Sequence, residues 1–81
     1  MIPSARHLRA ARALTGLSQN ELAKLAKVGI ATIKRMECFG GLIGIRATTI
    51  RKVEEALDAA GAVLSEIGVR MRPKRVKKKV G

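Results

Sequence analysis

Along residues 5–15, ARHLRAARALT, Leu8, Ala11 and Leu14 recur at helical spacing while Arg6, Arg9 and Arg12 take other faces. Apolar residues three or four positions apart share one face of a 3.6-residue helix, so this segment predicts a first helix with its stripe turned inward. Ser4 stands where an N-cap acceptor is needed and Gly16 where a left-handed stop is needed. Ser18 and, three residues on, Glu21 have the spacing of a capping box, which predicts a second helix from about Gln19 to Ala26. A short third helix starts from Gly29, a fair cap, carries the stripe Ile33 and Met36, and ends near Glu37 or Cys38. The stretch FGGLIGIR, Phe39 to Arg46, has no helical period and is read as a loop closing over the core with Leu42 or Ile43 tucked inward. Thr48 then caps a fourth helix with the stripe Ile50, Val53, Leu57 and Ala60, and Gly61 stops it. Beyond Gly61 the period changes, and Val69-Arg70-Met71-Arg72 alternates apolar with basic, as two short strands or a ragged hairpin do. Pro73 ends regular structure, and KRVKKKVG has too little apolar surface to fold alone. The division is therefore a domain over 1–72 and a basic tail over 73–81.

Composition narrows the fold class. Eighty-one residues allow one modest core, and a hydrophobic fraction of 47% with Phe39 as the sole aromatic suits packed helices better than a sheet sandwich. The expected class is mainly α, four helices with a short C-terminal strand or hairpin. Seventeen Lys and Arg against six Asp and Glu give a formal charge of +11, which calls for a polyanionic partner. Seven of those cations lie in residues 70–81 with no acid among them, the distribution of a folded body with a basic arm. A lone Cys38 has no partner for an intramolecular disulfide, and neither a signal-peptide pattern nor an apolar run of about 20 residues is present, so a reducing cytoplasm and no membrane are expected. One His, one Cys and scattered acids offer no nucleophile–base pair, metal cluster or phosphate-cradling loop; no enzyme, metal or cofactor is expected. His7 is read as a wet surface residue and Cys38 as a small half-buried one.

Two short helices joined by a tight turn serve DNA when the second lies in a major groove about 12 Å wide and the first braces it across the backbone. The pair needs a small residue at the crossing, here Ala23, and apolar anchors, here Leu22, Val28, Ile33 and Met36. Burial of those anchors turns Ile30, Ala31, Lys34 and Arg35 outward, since 30 and 34, like 31 and 35, lie one turn apart. The plain alternative is an ordinary solvated charged face.

The stretch GLSQNELAKLAKVGIATIKRME, residues 16–37, resembles without a gap the lambda-repressor and Cro family of helix-turn-helix regulators. The residues that carry the likeness are Gly16-Leu17-Ser18-Gln19, Glu21-Leu22-Ala23, Ile33 and the closing Glu37. ATTIRKVEEALDAAGAVL and GVRMR look like the last helix and trailing strand of short bacterial members, extending the resemblance over roughly residues 6 to 72. The resemblance implies a lambda-repressor-like DNA-binding domain. It implies that Gln19 donates to a phosphate, that Thr32 touches phosphate or base, and that Ile30, Ala31 and Arg35 read base edges. Ser18, Lys27, Gly29 and Lys34 complete the DNA-facing set, and Arg12 with Glu37 matches a family pair bridging the first helix to the end of the third. As a solvent-exposed pair it would contribute only about 0–1 kcal/mol. The chain departs from the family at Lys27, where Gly is usual and positive φ costs about 1 kcal/mol, and at Gly29, where Ser or Thr is usual.

These readings make the chain a transcriptional regulator, a repressor rather than an activator and prophage-like in style, binding a palindromic operator as a homodimer. Residues 62–72 either cover the open edge of the core or, through Val69 and Met71, pair with a second chain. The basic tail is either solubilising or an arm for nonspecific phosphate contacts. Two rival functions stand beside the first: an antitoxin that masks a toxin partner and autoregulates, and a nucleoid or RNA binder acting through charge alone.

Overall fold

The computed structural model describes residues 2, 4–38, 40–65 and 68–72. The readings that rest on Phe39, on residues 66–67, and on Pro73 and the basic tail lie outside those residues. Four helices, α1 (Ala5–Thr15), α2 (Gln19–Ala26), α3 (Ile30–Met36) and α4 (Ala47–Ala59), are followed by a two-stranded antiparallel hairpin, β1 (Ala62–Ser65) and β2 (Gly68–Met71).

Local chemistry sets most of the boundaries. Ser4 Oγ accepts from the backbone of His7 to open α1, and Gly16 closes it at φ 75°, ψ 12°. At α2 the capping box is complete: Glu21 N–H donates to Ser18 Oγ at 3.0 Å and Ser18 N–H to Glu21 Oε1 at 2.8 Å. α4 begins earlier than its composition predicts. Arg46, not Thr48, is the N-cap; it has no side-chain bond, and its carbonyl accepts from Thr49 and Ile50, each at 3.0 Å. The reason lies in the loop before it. Leu42 and Ile45 pack on the core and Ile45 N–H donates to the Leu42 carbonyl, so the chain is already turned when it reaches Arg46.

The core runs through all four helices. Leu8 and Ala11 of α1, Leu22 and Ala26 of α2, Ile33 and Met36 of α3, and Val53 and Leu57 of α4 are buried, with Ala62 closing the β1 end. α2 packs on both α3 and α4, while α1 packs on the hairpin and on α4. The hairpin is regular rather than ragged, with Ala62 opposite Met71, Val63 opposite Arg70, Leu64 opposite Val69 and Ser65 opposite Gly68. Arg72 ties its far end to α4 through an ion pair with Asp58 at 2.9 Å.

Outside the segment 18–37, three side chains sit elsewhere than the sequence predicts, and one open choice is decided. Leu14 is 48% exposed, because it lies well round the helix from the buried face that Leu8 and Ala11 share. Of the loop pair, Leu42 is the one turned inward and Ile43 is 80% exposed. His7 is half-buried, with Nδ1 2.7 Å from Ser4 Oγ, since the cap that starts the helix also draws in the imidazole. Cys38 is exposed just past α3, its thiol donating to the Lys34 carbonyl at 3.2 Å.

Candidate nucleic-acid interface

α2 and α3 are joined by residues 27–29, and the turn is made by a residue ill-suited to it. Lys27 adopts φ 60°, ψ 44°, the sole positive φ outside glycine among the described residues, and its N–H bonds back to α2. Val28 N–H donates to the Ala23 carbonyl at 3.0 Å, and the Val28 side chain packs on the core. These contacts hold Lys27 in a left-handed conformation that costs an L-residue about 1 kcal/mol. Gly29 precedes α3 in extended geometry with no side-chain cap.

With Ile33 and Met36 wholly buried, helical geometry leaves Ala31, Lys34 and Arg35 exposed. Ile30 does not face outward as its spacing from Lys34 predicts: it stands one turn before Ile33, near the buried face, and is half-buried against the core; Thr32 is half-buried too. The outward edge is thus Ala31, Lys34 and Arg35, with Ile30 and Thr32 at its margin. Ser18, Lys27 and Gly29 are exposed beside it, and Gln19 is half-buried. Lys34 and Arg35 on α3 and Lys27 in the turn before it are exposed cations, and the Glu21 carboxylate is committed to its capping box. Arg35 lies along the loop that follows: a Cβ at Gly44 would stand 3.5 Å from Arg35 Nη2.

The pair Arg12–Glu37 is present but is not the exposed, weak contact expected. The side chain of Glu37 is 5% exposed and that of Arg12 25%. Arg12 Nε donates to Oε2 at 2.7 Å and Nη2 to Oε1 at 3.1 Å, a bidentate grip, while Gln19 Nε2 donates to Oε1 at 3.0 Å. Arg9 adds a hydrogen bond to the Glu37 backbone carbonyl. Hydrogen bonding to Glu37 raises the Arg12 pKa above its ordinary value against the opposing effect of burial, so the guanidinium stays charged at any physiological pH. The carboxylate is buried because three elements converge there: α1 through Arg9 and Arg12, the start of α2 through Gln19, and the end of α3.

Gln19 therefore has a structural role that its sequence position did not reveal. Its Nε2 is engaged with Glu37, so a phosphate contact would use the second amide N–H or displace that bond. The available signal was charge: Glu37 is the sole acid between Glu21 and Glu54, in a stretch rich in cations. Gly41 is a further residue that the sequence pattern does not single out. It is buried against the end of α3, where a Cβ would lie 2.0 Å from the Arg35 carbonyl oxygen.

At the hairpin, Val69 is half-buried against the core and Met71 is 38% exposed. Arg72 N–H donates to the Gly61 carbonyl at 2.7 Å, and antiparallel alternation from that bond turns the N–H groups of Val69 and Met71 away from β1. Among the described residues no group of three His, Cys, Asp or Glu is placed to hold a metal ion, and no helix is long and apolar enough to cross a membrane. No family model matches the chain, and a comparison with curated proteins finds no match.

Proposed function

We propose that this chain is a sequence-reading DNA-binding protein of the lambda-repressor and Cro type, in which α2, residues 27–29 and α3 act as a helix-turn-helix. The observation that supports it is the outward edge of α3, where Ala31, Lys34 and Arg35 are exposed opposite wholly buried Ile33 and Met36. Arg35 has the donor fork to meet guanine O6 and N7, a contact worth about 1–3 kcal/mol of discrimination, and Ala31 has the small apolar surface that suits a thymine methyl. On this reading Lys34, Lys27 and the first turn of α2 from Ser18 and Gln19 meet the phosphates that flank such a groove. Ile30 and Thr32, half-buried, contribute from the margin.

The protein acts as a non-enzymatic regulator, a repressor in the cytoplasm, on a palindromic operator with half-sites about 34 Å apart. The outward N–H groups of Val69 and Met71 supply the edge along which a second copy adds. Selection of bound duplexes from a random pool tests this reading. It predicts a palindromic winner bound far more tightly than its scrambled counterpart at two salt concentrations. No winner, with affinity set by salt alone, would mean a binder that works through charge.

A further inference from the structure

We infer that Ile43 is a DNA contact, an apolar prong that packs on the deoxyribose face of the strand beside the base Arg35 meets; this rests on the DNA reading above. Ile43 is the most exposed of the large apolar side chains among the described residues, at 80%. It stands on a loop that is fixed rather than loose. Gly41 N–H donates to the Cys38 carbonyl at 2.8 Å, Ile43 N–H to the Gly40 carbonyl at 3.1 Å and Ile45 N–H to the Leu42 carbonyl at 3.2 Å. Gly40 and Gly44 turn the chain at φ 69° and φ 84°, Leu42 and Ile45 anchor it in the core, and Gly41 is pressed on the last turn of α3. The loop thereby points Ile43 away from the body and keeps it there at little further entropic cost on binding.

Position and charge identify the occupant. Gly44 lies against the Arg35 guanidinium, so the loop that carries Ile43 stands beside the side chain that the DNA reading sends to a base. Residues 40–46 carry Arg46 and no acid, and Arg35 lies against the loop at Gly44, a setting that favours a polyanion over a basic partner. A bare isoleucine among such cations meets the one apolar surface that a nucleic-acid backbone offers, the C–H face of its sugars. That contact is blind to base identity and neutralises no phosphate.

The full chain, the duplex selected above and its scrambled counterpart test the inference. Ile43→Ala is expected to bind about tenfold more weakly to both duplexes. The slope of log K against log salt should not change, because no counterion is released by a sugar contact. Ile43→Val should stay within about twofold of wild type, as it keeps most of the side chain. Hydroxyl-radical cleavage of the selected duplex should show sugars protected beside the Arg35 base by the wild-type chain and laid open in Ile43→Ala. Wild-type footprints with no such protection, or Ile43→Ala binding as wild type while Arg35→Ala still loses base preference, would overturn the inference alone. A wild-type chain that does not prefer its selected duplex would overturn the DNA reading and this contact together.

Discussion

At its C-terminal end α3 runs into a buried carboxylate gripped by Arg12 and Gln19 and a glycine pressed on its last carbonyls, whereas at its N-terminal end it starts from uncapped Gly29, two residues after Lys27 in a left-handed conformation. The exit is held by side chains of α1 and α2 that converge on Glu37; the entry is held by backbone bonds and by Val28 and Ile33 sinking into the core. The difference shows what positions the exposed edge of a seven-residue helix that is too short to be stable by itself. Its location is decided where long-range contacts converge, at the Glu37 end, and the turn before it follows even against the local preference of Lys27.

If that contrast is right, changes at the exit should be costly and changes at the entry mild or helpful. The largest effect is expected from Gly41→Ala. A Cβ 2.0 Å from the Arg35 carbonyl has no room, so the loop or the end of α3 must move, at a cost of about 3 kcal/mol or more in denaturant unfolding. Glu37→Ala comes next, at about 2–3 kcal/mol, for it strands Arg12 and Gln19 around a vacated buried site. The figure sits below that for a fully buried pair because the Arg12 side chain, 25% exposed, can recover some water. The smallest effect has the opposite sign. Lys27→Gly should raise stability by about 0.5–1 kcal/mol, since glycine adopts φ 60° without the Cβ clash; a loss of stability there would show that Lys27 makes a contact that offsets its backbone cost.

Features decided within a few residues are legible in the sequence itself. Ser18 and Glu21 are three apart and make the capping box; Gly16 makes its left-handed stop; Ile33 and Met36 share a buried face; and the departure at Lys27 requires the positive φ that is found. What is not legible depends on residues distant in sequence. Thr48 is a better cap than Arg46 on local grounds, yet the anchoring of Leu42 and Ile45 begins α4 before Thr48 is reached. Leu14 follows Ala11 at helical spacing, but the last turn of α1 is engaged on another face, where Arg12 reaches Glu37, and Leu14 is left exposed. Glu37 sits next to exposed Cys38, and only the convergence of α1 and α2 on it makes its carboxylate buried. The choice between Leu42 and Ile43 turns on the packing of one loop, where two adjacent apolar side chains have equal claims and one space is open to them.

Base reading by α3 is tested by titrating wild type and Arg35→Ala against the selected duplex and its scrambled counterpart at one salt concentration. Because Arg35 is exposed, the substitution should leave the fold intact. Preference for the selected duplex should fall by roughly 10- to 100-fold, while affinity for the scrambled one falls much less. Equal losses on the two duplexes would mean that Arg35 meets phosphate alone and that this edge of α3 reads no sequence.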